Sequence, residues 1–124
     1  MKLRTFLIII AIIALGYGLG LAFLPAFMNS TYGLGTSASE ILLTRFFGVE
    51  LLGLGVAAWL SKDLTGVNAS PILMGSLIAD APGAVFALLG TLSGVMNSFG
   101  WSAFAIYFLI ALGCAYYQFM APSK

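Results

Sequence analysis

Three charged side chains stand inside otherwise apolar stretches of this chain: Arg45 and Glu50 in one, Asp80 in another. Burying Arg or Asp at the centre of a membrane helix costs about 2.5–3.5 kcal/mol each on insertion scales, so such groups are expected to face a bundle interior and find partners there. Asp80 and Glu50 are able to relay protons or bind a cation, with Arg45 as counter-charge. The Arg45 end of a cavity would instead hold an anionic or lipid-like ligand. Two carboxyls at one depth also suit general acid/base work, such as isomerising a double bond in an apolar substrate. The structural alternative is a buried ion pair or hydrogen-bonded network that sets helix register. Arg45 and Glu50 are five positions apart, about 140° around a helix of 3.6 residues per turn, so Arg45 is expected to reach Asp80 across a helix interface. Asp80 also precedes Pro82, which removes a backbone donor beside the acid.

The surroundings of these residues exclude most other chemistries. Of 124 residues, 61% are hydrophobic and only 7% charged, against about a quarter charged in a soluble domain. The mean hydropathy is +1.09. Histidine is absent and Cys114 is the sole cysteine, which rules out a Cys/His zinc or haem site and an intrachain disulfide. No cofactor is expected, and Cys114, with no cationic activator nearby in sequence, reads as an inert packing residue. A net charge of +1 without a basic cluster argues against nucleic acid and polybasic lipid recognition.

Four stretches of about twenty residues must position the charges. The first covers about Leu3 to Leu24 and ends at Pro25. Lys2 and Arg4 resemble the start of a signal peptide, but the apolar run exceeds the usual 7–15 residues and no A-x-A-like site follows, so a retained helix is expected. Met28 to Thr36 reads as a polar, glycine-bearing loop. Ser37-Ala38-Ser39-Glu40 has capping-box spacing and opens a second span over 38–60. Ser70-Pro71 opens a third over 71–92, and Trp101 a fourth over 101–120. Each length suits a hydrocarbon core about 30 Å thick.

Lys2, Arg4, Lys62 and Lys124 place the N-terminus, the middle loop and the C-terminus on the cytoplasmic side. Trp59 and Tyr116/Tyr117 then fall near the inner interface, Tyr32 and Trp101 near the outer one. Small residues at four-residue spacing mark packing faces: Gly75, Ala79, Gly83 and Ala87 in the third span, and Gly16 and Gly20 in the first. The second span offers two lines, Gly48 to Gly55 and Gly53 to Ala57. Such lines are expected either to pack the four helices tightly against one another or, since four helices cannot use every such face internally, to leave some to meet other proteins.

The run Leu43-Thr44-Arg45-Phe46-Phe47-Gly48-Val49-Glu50-Leu51-Leu52-Gly53-Leu54-Gly55, followed by Trp59-Leu60, resembles the second-helix signature of a family of small, uncharacterised bacterial membrane proteins. These are similar in outline to the DoxX-like four-helix proteins. Leu92 to Asn97 leading to Trp101, and Gly113 to Tyr117, resemble the same group's last loop and fourth helix. The resemblance implies four spanning helices and no particular activity; by analogy with DoxX-like proteins it also implies association with quinone-linked oxidoreductases.

The expected fold is therefore all-α, an integral membrane antiparallel four-helix bundle in a prokaryotic cytoplasmic membrane, with both termini cytoplasmic. Two functions are compatible with it. One is a non-catalytic accessory subunit that meets other membrane subunits, or copies of itself, through its glycine faces. The other is an autonomous bundle whose polar cavity at Arg45, Glu50 and Asp80 binds, transports or isomerises a small apolar or anionic ligand, such as a lipid or quinone.

Overall fold

A computed structural model describes residues 1–121; Lys124, used above for orientation, lies outside the described residues. The chain is helical, with no strand among the described residues. Its elements are α1 (Leu3–Phe23), α2 (Pro25–Thr31), α3 (Ala38–Leu60), α4 (Ser70–Leu92) and α5 (Gly100–Ala115). A 3-10 turn, Gly66–Ala69, leads into α4, and a π-helical turn, Tyr116–Met120, extends α5. The four long helices, counted with these extensions, are long and apolar enough to cross a membrane. An amide left without a partner in hydrocarbon is costly, which is why apolar runs of this length become continuous helices.

Local chemistry sets the ends. The Ser37 hydroxyl accepts the Glu40 amide hydrogen while the Glu40 carboxylate accepts the Ser37 amide, a complete capping box at the start of α3. Ser37→Ala is expected to cost about 1 kcal/mol, read as a lowered midpoint of thermal unfolding in detergent. One expectation needs correction: the segment read as a loop from Met28 is helical through Thr31. Pro25 stands at the first position of α2, where its missing N–H is no loss, so it starts a new helix where it ends the old one. Pro82 lies within an unbroken α4.

Packing runs through two close helix pairs, α1 with α3 and α4 with α5. Along the first, Leu15 meets Gly55, Gly18 meets Gly48 and Leu52, and Ala22 meets Gly48, so partners descend α3 as they ascend α1. Along the second, Gly83 lies under the Tyr107 ring and Gly100 faces Thr91. The small-residue lines therefore divide. Gly48 and Gly55 are buried against α1, whereas Gly53 is exposed with nothing near it. Gly83 and Ala87 face inward, whereas Ala79 is exposed and Gly16 and Gly75 meet nothing within 4 Å. Gly20 faces only Met28 of α2.

The bundle has two unlike halves. At one end Arg4 Nε donates to Asp63 Oδ1 at 2.8 Å and the Tyr117 hydroxyl donates to the Met1 carbonyl, gathering the start of α1, the α3–α4 connection and the end of α5. The hydrogen bond and charge of Arg4 hold the exposed Asp63 carboxyl below the usual carboxylate range. Lys62 lies 4.5 Å from the Trp59 ring at this end. Above it sits a packed core that includes Phe6, Leu7, Ile10, Leu73, Ile110 and Cys114. At the other end Asn97 donates through its amide N–H to the Tyr32 carbonyl at 2.9 Å and through Nδ2 to the Thr31 carbonyl at 3.0 Å. Between that end and the core the helices part.

Candidate functional site

The gap is a cavity of about 420 Å³, lined by all four long helices together with α2 and the loops at one end. That volume lies within the roughly 300–1,000 Å³ of small-molecule sites. Its floor, toward the core, is formed by the deepest lining residue of each long helix: Ile10, Leu54, Asp80 and Ile110. Leu21, Asn29, Tyr32, Thr44 and Met96 surround the opposite end. Most of the wall between is aliphatic or aromatic, including Leu51, Phe47, Phe86 and Ile106.

The polar groups at this far end satisfy one another. Asn29 is buried, and its Nδ2 donates to the Gly35 carbonyl at 3.1 Å and to Thr44 Oγ1 at 2.9 Å. Thr44 Oγ1 donates in turn to the Glu40 carbonyl at 2.8 Å. This chain ties α2 to the first turns of α3 and holds the rim in shape. Tyr17 and Tyr32 share a hydrogen bond of 2.7 Å between their hydroxyls, linking α1 to the loop after α2. Such groups rigidify this end of the cavity and leave little capacity for a ligand.

The floor is different. Asp80 is 7% exposed, lines the cavity, and has neither an ion pair nor a hydrogen bond among the described residues. A carboxylate so placed is costly unless it takes up a proton or gains a partner. Tyr107, whose ring rests over Gly83 one turn beyond Asp80, brings to the same wall a hydroxyl that also has no hydrogen-bond partner among the described residues. A side chain at position 83 would displace that ring: a Cβ there would lie 2.7 Å from its Cδ1. Ser76, one turn before Asp80 on the same face of α4, is fully buried with an unpartnered hydroxyl.

Of the three charged residues singled out in the sequence, only Asp80 belongs to this cavity. Arg45 and Glu50 are both exposed on the outside of α3, and neither lines it. No ion pair joins Arg45 to Asp80 among the described residues; the pairs present are those of Asp63 with Arg4 and Lys62. The reason is the choice of face. α3 turns Gly48, Gly55 and Ala58 toward the bundle, because only small residues permit its close approach to α1. Arg45 and Glu50 then fall on either flank of the opposite side. The anion-holding end and the two-carboxyl arrangement expected from the sequence are not assembled within one chain.

The residues that sequence reading overlooked are the tyrosines and the rim. Tyr17 and Tyr107 stand mid-helix, and a phenol at hydrocarbon depth needs a partner, which was a usable signal. Tyr32, expected as an interfacial anchor, is buried and shares its hydroxyl with Tyr17. Cys114 is fully buried in the core, as a packing residue would be. No group of three or more metal-binding side chains forms among the described residues. No family model, curated protein or solved structure matches this chain.

Proposed function

We propose that this protein is an antiparallel four-helix bundle of the cytoplasmic membrane that binds one small, mainly apolar molecule with a hydrogen-bonding head, of the quinone or lipid type. The observation that carries the reading is Asp80: a buried carboxyl with no partner among the described residues, on the floor of an apolar cavity of ligand size. A carboxyl and the Tyr107 phenol on one wall offer an acceptor and a donor to a hydroxyl, carbonyl or amine. The aliphatic and aromatic remainder of the cavity takes the apolar body. Because the packed core lies beneath the floor, the cavity reads as a dead-end pocket, which favours binding over conduction. Lys2, Arg4 and Lys62 gather at the core end, so that end is assigned to the cytoplasm and the cavity to the outer half of the membrane.

Ala103→Phe tests the reading. Ala103 lines the cavity and is partly exposed, so a phenyl group there has room to fill the space without forcing the helices apart. Native mass spectrometry of protein extracted into lipid nanodiscs is expected to show a bound molecule on the parent chain and none on the variant, with unfolding temperatures within a few degrees. Equal retention by both chains would sink the proposal.

The second reading, a non-catalytic accessory subunit of a larger membrane complex, draws on a different observation. The outer face of α3 carries two charges into the surroundings of the bundle, where lipid cannot satisfy them.

A further inference from the structure

We propose that the outer face of α3 is the interface of a parallel homodimer, closed by reciprocal ion pairs between Arg45 of one copy and Glu50 of the other. The argument is independent of the cavity. Leu42, Phe46, Val49, Gly53, Val56 and Leu60 recur at alternating intervals of four and three, the spacing of a coiled-coil seam. All six are exposed, and a side chain added at Gly53 would meet nothing within 4 Å. They occupy the side of α3 opposite Gly48, Gly55 and Ala58, which face α1. The seam is thus free to receive a second helix, and the gap at Gly53 allows a close one.

Charge identifies that helix. When Phe46 and Val49 take the two seam positions of a heptad, Arg45 falls on one flank and Glu50 on the other, five residues further along. In two parallel helices related by a two-fold axis, a residue on the first flank faces the residue five positions later on the other flank of its partner. Arg45 therefore meets Glu50 of the second copy, and the symmetry makes the same pair twice. A two-fold axis along the membrane normal keeps both copies in one orientation, as membrane insertion requires. Glu50 lies near the middle of α3, too deep to reach an interface, and a cation from a second copy is what this surface lacks. An unrelated partner would have to bring both charges at the same spacing; a second copy brings them by identity.

The test uses the full chain in lipid vesicles. Energy transfer between differently labelled copies is expected to persist on dilution with lipid. Arg45→Glu and Glu50→Arg, tested separately, place like charges across the seam and are each expected to weaken the dimer by about tenfold or more. Mixing the Arg45→Glu chain with the Glu50→Arg chain restores both pairs as attractions, so the two variants associate with each other better than either does with itself. This rescue also shows that the singly changed chains are folded. Oxidative cross-linking of Val49→Cys should yield a two-chain product, while Leu109→Cys, on α5 and more exposed still, should not. Loss of transfer on dilution, single variants that dimerise as well as the parent, failure of the mixed rescue, or cross-linking of Val49→Cys to a different protein would each overturn the proposal.

Discussion

Asp80→Asn and Asp80→Leu are expected to leave the bundle folded in the membrane, at least as stable as the parent, while the bound molecule is lost. The two halves of this expectation share one cause. A buried carboxyl that held the helices together would do so through an ion pair or hydrogen bonds, and Asp80 makes none among the described residues. Replacing an unpartnered polar group by an apolar one of similar size is neutral or stabilising, since the cost of taking the carboxyl out of water disappears. A ligand that bonds to this carboxyl loses about 1.5–3 kcal/mol, which is about tenfold to hundredfold in affinity. Titration of the extracted molecule back onto purified protein, beside a thermal melt of the same samples, separates the outcomes. If the melt collapses for both variants, Asp80 is a structural residue. If the melt and the affinity both stay put, the cavity floor is not where the molecule sits.

The second large effect belongs to the α1–α3 contact. A Cβ at Gly48 would lie 2.5 Å from the backbone nitrogen of Ala22 and 2.9 Å from the carbonyl carbon of Leu21. Both are main-chain atoms, which cannot swing aside as the end of a flexible side chain does. From the other helix, a Cβ at Gly18 would lie 2.9 Å from the Gly48 carbonyl oxygen. Gly48→Ala is therefore expected to destabilise the bundle by about 1–3 kcal/mol, the usual cost of overpacking, and Gly48→Leu by more. Gly16→Ala is the control: it lies two residues from Gly18, with nothing within 4 Å, and gains helix propensity of about 0.5–1 kcal/mol. Unfolding midpoints in detergent should fall for the first and hold or rise for the second. Equal midpoints for Gly48→Ala and the parent would mean that the helices are not in backbone contact there.

Much of the architecture was legible because it rests on local rules. Apolar runs of membrane length and the Ser37–Glu40 box are read within a few residues, and α3 begins where that box stands. Ser70, expected as the N-cap before Pro71, instead lies within α4, because the 3-10 turn Gly66–Ala69 runs straight into it and Ala69 takes the cap position without a side-chain bond. The error at Pro25 was also local: one proline both stops a helix and opens the next, and only the continuing backbone bonds, such as Met28 N–H to the Leu24 carbonyl at 3.0 Å, separate the two uses.

What the sequence could not determine was direction. In a water-soluble helix the apolar stripe marks the inside, but lipid is as apolar as a protein core, so the pattern of greasy residues carries no such label. Gly48 and Gly53 look alike in the sequence, yet one meets the Ala22 backbone and the other meets open space. Arg45, Glu50 and Asp80 look like one constellation, yet tertiary packing sends two outward and one to the floor of a cavity. That cavity has no local signature, because it is a gap between helix pairs whose close contacts lie elsewhere, and its size depends on how far apart α1, α3, α4 and α5 stand. The sequence alone determined that the chain is four apolar helices with too few charges to waste. Tertiary structure decided which charge lines the cavity and which two lie on the outside, because in hydrocarbon only contact geometry tells the inside of a bundle from its surroundings.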